Sequence, residues 1–417
     1  MSEQSGFVIV GASLAGAKAA EALREEGFGG RITLVGEEAE LPYERPPLSK
    51  DYLMGSLERE KIFCHDAAWY REHEVGLRLG CRVIRVDRQA HRVETEGGES
   101  IPFDRLLFTT GASPRTLPLP GADGPGVLYL RRVGDSDRLR GTFGQGRRLV
   151  VVGAGWIGLE AAAAARAAGT EVTVLETQEL PLLRVLGPEV GAIFASLHER
   201  HGVDLRFGVQ VESMSSEAVG RTRVRLAGGE ELDADAVLVG IGARPNTELA
   251  ERAGLEVADG VVVDQALRTA ADRDVFAAGD VASAYHPLFR TQVRVEHWDN
   301  AIEQGKAAAR SMLRDGVAYD RVPYFYTDQY ELSMEYAGHV GRDGYSRVLF
   351  RGDVCKLEFI AFWLDSEGRV LAGMNVNTWD VNETIKELVR SRQPVDATRL
   401  ADPAVELGAL AGTAFAE

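Results

Sequence analysis

The chain has 417 residues, with 47 lysines and arginines against 63 aspartates and glutamates, and a formal charge of −16. Its 45% hydrophobic and 26% charged content suits two or three globular domains of about 150 residues and excludes wholesale disorder. The acidic balance argues against nucleic acid as a partner, and no apolar run is long enough to cross a bilayer. Three scattered cysteines (Cys64, Cys81, Cys355) cannot build a disulfide framework, which points to a reducing cytoplasm. Met1 to Gly6 lacks the basic and long apolar stretches of a signal peptide. The 46 glycines are well above the roughly 7% average and suggest many turns or backbone held close to a ligand.

In chain order, the apolar run Phe7–Val10 predicts a strand, followed by Gly11-Ala12-Ser13-Leu14-Ala15-Gly16 and a helix over Ala17–Glu25. A second strand, Arg31–Val35, leads to Glu37, and Arg105–Thr110 predicts another, ending in the turn Gly111-Ala112-Ser113-Pro114-Arg115. The opening pattern then returns as Leu149–Val152, Gly153-Ala154-Gly155-Trp156-Ile157-Gly158, a helix over Leu159–Ala168, the strand Glu171–Leu175 and Glu176. The motif positions are offset by 142 residues, 11 to 153 and 16 to 158. Ala236–Gly240 and Val275–Ala278 are further strands, ending at turns that hold Gly242 and the pair Gly279-Asp280. A helix is expected over Asn300–Arg314. Beyond Pro323, Tyr324–Tyr326, Leu357–Leu364 and Val370–Val376 look like strands of an antiparallel sheet, followed by a helix over Val381–Arg392.

A lone Gly-x-Gly-x-x-Gly says little, but here a strand precedes, a helix follows and an acid arrives about 20 residues on. The first glycine permits the tight turn, the second lets backbone N–H groups approach a pyrophosphate, and the third lets helix and strand pack closely. The helix N-terminus turns its positive dipole end to the phosphates, and the acid accepts from a ribose diol. Two such units imply an α/β protein with two Rossmann-like dinucleotide-binding domains and a C-terminal α+β domain. The expected domains are 1–114 with 247–322, then 115–246 inserted between them, then 323–417. Ser13 stands at the middle glycine position of the first unit and narrows its phosphate approach. Glu176 repels a 2′-phosphate and no cation adjoins it, so NADH is expected over NADPH. Arg184, the nearest following cation, has two readings, a cofactor contact or a solvated arginine. His198 and His201 have a spacing that can bind metal, but without a third ligand they read as a surface pair, and no metal site is expected.

These residues together resemble the FAD-containing, NADH-dependent ferredoxin reductases that serve bacterial cytochromes P450 and Rieske dioxygenases. The resemblance runs from Val8 to about Pro403. It is carried by Tyr43-Glu44-Arg45-Pro46-Pro47-Leu48-Ser49-Lys50, Val152-Gly153-Ala154-Gly155-Trp156-Ile157-Gly158-Leu159-Glu160 and Ala277-Ala278-Gly279-Asp280-Val281-Ala282. Two further tracts are Glu296-His297-Trp298-Asp299-Asn300-Ala301 and Pro323-Tyr324-Phe325-Tyr326-Thr327-Asp328-Gln329-Tyr330. It implies a glutathione-reductase-like fold with FAD in the first unit: Gly11, Ser13, Leu14, Ala15 and Gly16 on the pyrophosphate, Glu37 on the adenosine ribose, and Val83 on the adenine. Arg45, Pro46, Lys50, Thr110, Gly111, Arg115, Arg131, Gly279 and Asp280 are implied as further cofactor contacts, with Trp298 beside the flavin ring. Gly153, Gly155, Trp156, Ile157, Gly158, Glu176, Arg184 and Gly242 fall to NADH. Lys50, Glu160 and Trp298 are the implied catalytic groups, with Glu160 paired to Lys50 beside the flavin.

The implied chemistry is electron transfer from NADH through the flavin to an iron–sulfur ferredoxin, which serves an oxygenase. A disulfide reductase on this fold needs a close cysteine pair, and Gly36 to Lys61 contains none. A peroxidase or coenzyme A disulfide reductase needs a cysteine where the chain has Pro42 to Pro47. Asp402–Glu417 is too short and mixed for a membrane-binding tail. The alternatives are a rubredoxin reductase, or an interaction protein resembling apoptosis-inducing factor. Ferredoxins are usually acidic, so a cationic dock is expected, with Lys306, Arg310 and Arg314 on one helix face and Arg290 and Arg294 upstream. A monomer or weak homodimer is expected.

Overall fold

The computed structural model describes residues 6–218, 220–341 and 344–411; the expectations placed on residues 1–5 and 412–417 lie outside these. The chain forms two compact units. The first holds the residues up to Glu44, Arg59–Ser113 and Ala243–Arg321, and the second holds Arg45–Glu58, Pro114–Gly242 and the chain from Val322 onward.

In the first unit Phe7–Val10 and Ile32–Val35 are buried at every position, the pattern of strands covered on both faces of a parallel sheet. Five parallel strands lie in the order Val275–Ala277, Arg105–Phe108, Phe7–Val10, Ile32–Val35, Val75–Arg78. Val10 stands opposite both Val35 and Phe108, so the central strands end level. Later strands are added on either side of Phe7–Val10, which makes its carboxyl end the switch point where such sheets open a crevice.

The second unit repeats this plan. Its parallel order is Asp204–Arg206, Glu171–Leu175, Arg148–Val152, Ala236–Val239, Val127–Leu128, and the switch point lies at the end of Arg148–Val152. The unit also contains an antiparallel sheet in the order Tyr324–Gln329, Leu332–Gly338, Val370–Val376, Glu358–Leu364, Arg347–Asp353. Two of those strands, Leu332–Gly338 and Arg347–Asp353, are additional to the three expected. Asn382–Ser391 follows as an amphipathic helix with Ile385 and Leu388 buried. The short segment Arg45–Glu58 packs within the second unit. Tyr52 Oη donates to Asp137 at 2.7 Å, and Ser136 Oγ donates to the Leu48 carbonyl at 2.8 Å.

Candidate active site

The first glycine turn leaves the strand Phe7–Val10 and enters the helix Leu14–Glu25. Gly11 sits at φ +121°, and a Cβ there would lie 2.1 Å from the Thr109 carbonyl oxygen. A Cβ on Gly16 would lie 2.2 Å from the Gly11 carbonyl oxygen. The helix begins with no side-chain cap from Ser13 and no acid in its first turn. Its N–H groups and dipole therefore face outward from the turn, the arrangement that takes an anion. Leu14 and Ala15 pack with Ala301, and Trp298 and Cys64 close on the same cluster. Two glycines permit that closeness. Gly279, at φ +78°, would put a Cβ 3.1 Å from that of Ala15, and one on Gly305 would meet the Ala15 carbonyl oxygen at 2.5 Å. The Gly279 N–H donates to Gln304 Oε1 at 2.9 Å, which ties the Asp280 turn to the helix Trp298–Leu313.

Other predicted residues of this unit fall into two groups. Glu37 is exposed with Arg82 Nε at 3.9 Å, and Val83 follows in a buried position on the strand Val83–Asp87. Thr110 and Gly111 are tied to Asn246: Thr110 Oγ1 donates to its carbonyl at 2.8 Å, and the Asn246 N–H donates to Gly111 O at 2.9 Å. His297 caps the Trp298 helix by accepting from the Asp299 N–H at 3.3 Å. Arg321 grips Asp299 in bidentate fashion at 2.7 and 2.9 Å, which fixes the turn that carries Trp298.

The second glycine turn has the same backbone and different walls. Gly153, at φ +104°, would put a Cβ 2.5 Å from the Gly240 carbonyl oxygen, and Gly158 would put one 2.2 Å from that of Gly153. At Gly155 the nearest atom to a Cβ is 3.9 Å away. The helix Trp156–Ala167 also starts without a side-chain cap or an acid in its first turn. Glu176 accepts from the Ala154 N–H at 2.8 Å and from the Gln178 N–H at 2.9 Å, so the acid is held against the turn. Ile157 and Val185 remain 41% and 46% exposed, and Arg184 is exposed beside Val185. The Leu182 N–H donates to the Ala154 carbonyl, bringing the start of the helix Leu183–Arg200 to the turn. Arg115 donates its N–H to the Gly242 carbonyl at 2.9 Å.

Within the second unit the structure joins Lys50 to Glu160. Lys50 Nζ lies 2.7 Å from Glu160 Oε1, with the side chains 13% and 5% exposed. Glu160 also accepts from Ser49 Oγ at 2.5 Å and from Thr327 Oγ1 at 2.6 Å. The Lys50 ammonium stands 5.3 Å from the centre of the Tyr326 ring. Arg45 donates to the Arg131 carbonyl, so two more predicted residues meet there. A buried ion pair survives only when its spare lone pairs are filled, and the two hydroxyls do that for Glu160. Sequence reasoning missed both. Alternation was the available signal for Thr327: Thr327 and Gln329 are buried and Asp328 between them is exposed, one face of a strand.

The histidine pair needs correction. His198 is buried, 0% exposed, and its Nε2 lies 2.8 Å from Gln329 Oε1. Only His201 is at the surface, stacked on Tyr330 and 2.7 Å from Glu331. No cluster of metal-ligating side chains occurs among the described residues.

Residues 6–305 match the family described as pyridine nucleotide-disulphide oxidoreductase, and residues 324–411 match the reductase C-terminal family. The chain belongs to the pyridine nucleotide-disulphide oxidoreductase family. It is 40% identical over 401 residues to the anthranilate 1,2-dioxygenase system ferredoxin–NAD(+) reductase component of Burkholderia cepacia, covering 96% of this chain and 98% of that one. It is 38% identical to rhodocoxin reductase of Rhodococcus erythropolis, covering 96% and 93%. Its fold superposes on the crystal structure of the covalent putidaredoxin reductase–putidaredoxin complex with a TM-score of 0.92, at 35% identity and 99% coverage of each chain. The oxidoreductase family implies a flavin and a nicotinamide nucleotide, and two uncapped glycine turns offer the matching pair of anion cradles. Despite the family's description, Cys64, Cys81 and Cys355 are all free. Burial pushes the Cys64 thiol up to about 12, with the Glu44 charge adding to the effect.

Proposed function

We propose that the chain is a FAD flavoprotein that takes electrons from NADH and passes them to an iron–sulfur ferredoxin, which in turn serves a cytochrome P450 or a Rieske-type oxygenase. The observation that carries this reading is the buried Lys50–Glu160 pair, present in a family fold whose three cysteines are all free. Full-length relatives named as ferredoxin–NAD(+) reductases support it. Bound flavin would accept two electrons from a nicotinamide and release them one at a time.

The protein's part is binding, orientation and charge. Gly11 to Gly16 would hold the FAD pyrophosphate on the first helix dipole, with Glu37 toward the ribose and Asp280 toward the ribityl chain. Trp298, held by the Asp299–Arg321 clasp, would cover the ring. Lys50 would stand as a fixed donor whose position Glu160 sets, a preorganised charge that needs no rearrangement during the reaction. Gly153 to Gly158 would take the NADH pyrophosphate. Glu176, anchored by two backbone N–H groups, would accept the ribose diol and repel a 2′-phosphate. The division into 1–114 with 247–322, 115–246 and 323–417, a monomeric or weakly dimeric state, and residence in a reducing cytoplasm belong to the same proposal.

The ferredoxin dock is proposed on the helix face of Lys306, Arg310 and Arg314, with Arg290 and Arg294 upstream of it. Arg310 and Arg314 both hold Glu26, at 2.7 and 3.2 Å, and Arg294 holds Asp259 and Glu296. An acidic partner must therefore compete with internal acids, which makes the dock weak and salt-sensitive. Anaerobic titration with NADH and with NADPH, followed by turnover with [2Fe–2S] and [3Fe–4S] ferredoxins, tests the whole reading. Bleaching by NADH and ferredoxin-dependent turnover are expected. Sluggish bleaching without turnover would favour the interaction-protein alternative.

A further inference from the structure

Behind the Lys50–Glu160 pair, the second unit holds a line of buried polar groups with no assigned role. Thr327, Gln329 and His198 are 1%, 1% and 0% exposed. Thr327 Oγ1 is 2.6 Å from Glu160 Oε1, Gln329 Nε2 is 3.2 Å from Thr327 Oγ1, and His198 Nε2 is 2.8 Å from Gln329 Oε1. The chain of contacts has one self-consistent direction. A carboxylate only accepts, so Thr327 must spend its single hydroxyl proton on Glu160 and can only accept from Gln329. The Gln329 amide is then oriented with its NH2 on Thr327 and its carbonyl on His198, which obliges His198 to carry its proton on Nε2.

The other end agrees. His198 Nδ1 is buried with no hydrogen-bond partner, a place that suits a bare lone pair and would leave an N–H orphaned. Burial lowers the His198 pKa to about 4, so at neutral pH the ring has one N–H to give. Reversing the Gln329 amide would set its NH2 against the imidazole, move the ring proton to the unpartnered nitrogen and turn the Thr327 hydroxyl away from Glu160.

We propose that His198, acting through Gln329 and Thr327, is a positioning residue for Glu160 and Lys50: one imidazole proton sets the direction of three successive hydrogen bonds and so fixes where carboxylate and ammonium stand. The inference rests on the reading of Lys50 and Glu160 as flavin-side groups.

The test begins without flavin. In 15N-histidine NMR of the apoprotein at pH 7, His198 is expected as the Nε2–H tautomer, and Gln329→Leu is expected to give a tautomer mixture. With flavin bound, Thr327→Val should slow flavin reduction by NADH about tenfold, the scale of a lost hydrogen bond to a charged group. It should also shift the visible flavin absorption maximum while leaving NADH affinity within about twofold, and Thr327→Ser should restore both. His198→Phe should move both readouts in the same direction by about threefold in rate, and His198→Gln, which keeps a donor, should recover them. An Nδ1–H tautomer in the parent overturns the proposal. So does a parental reduction rate with an unshifted spectrum in Thr327→Val. A parent that takes up no flavin defeats the functional reading instead, and the tautomer measurement still decides the direction of the chain.

Discussion

The two glycine turns share a backbone and differ in their surroundings. Around the first, Leu14 and Ala15 are buried, and Trp298, Ala301 and Cys64 pack against them. Around the second, Ile157 and Val185 stand in solvent, and a Cβ on the middle glycine would meet nothing closer than 3.9 Å. A walled cradle suits a group that stays, and an open one suits a group that comes and goes. One local motif thus has two different packings, and the proposed roles of the two turns rest on that difference. The acids differ in the opposite sense: Glu37, in the walled unit, is exposed beside Arg82, whereas Glu176 is clamped to its turn by backbone N–H groups.

The sharpest way to break this comparison is to add one methyl group to each turn. Gly11→Ala should cost about 3 kcal/mol and abolish flavin retention, because its Cβ meets a carbonyl and its φ is strained. Gly155→Ala should change stability by less than about 0.5 kcal/mol and weaken only NADH binding. Chemical denaturation and flavin content measure both, and equal losses would show that the two turns are not differently walled. Next, Lys50→Ala leaves Glu160 buried with hydroxyl partners alone, at a cost of about 3 kcal/mol. It should also slow flavin reduction by NADH with FAD still bound; an unchanged rate in stopped-flow would remove Lys50 from the site.

A smaller effect should follow pH. His198 is kept neutral by burial, with its pKa lowered to about 4, whereas in the unfolded chain it takes a proton near the ordinary value of about 6.5. The stability it contributes is present above that value and is lost as pH falls toward 4. The loss should be about 2 kcal/mol between pH 7 and pH 5, and His198→Phe should flatten the profile. Glu176→Gln should narrow the preference for NADH over NADPH about tenfold in kcat/KM, with no change in flavin content. Smallest of all, reversing Arg310 and Arg314 should lower ferredoxin turnover a few-fold and flatten its salt dependence, leaving dye reduction by NADH intact. Equal loss of both activities would refute that dock.

The turns were legible because each is written in consecutive residues: strand, glycines, helix, strand and acid follow one another without a long loop. Arg45 to Lys50 entered through the family resemblance, which that tract helps to carry. What distance separates was not legible. Thr327 meets Glu160 across 167 residues and Gln329 meets His198 across 131, so a buried histidine read as a surface one. Leu332–Gly338 escaped because leucine, methionine, glutamate and alanine favour helices in isolation, and pairing to Tyr324–Gln329 and Val370–Val376 overrides that preference. Arg347–Asp353 is an edge strand with no fully buried position, so it carried no hydrophobic alternation to read.

The strand order of the first unit also bears on how the protein is made. Arg105–Phe108 pairs on one side with Phe7–Val10 and on the other with Val275–Ala277, which the ribosome delivers some 170 residues later. Until then an apolar parallel strand has a bare edge, open to any other extended chain. Expression at low temperature or with chaperones should raise the yield of this protein, and a chain stopped after Gly242 should aggregate instead of leaving a folded first unit behind.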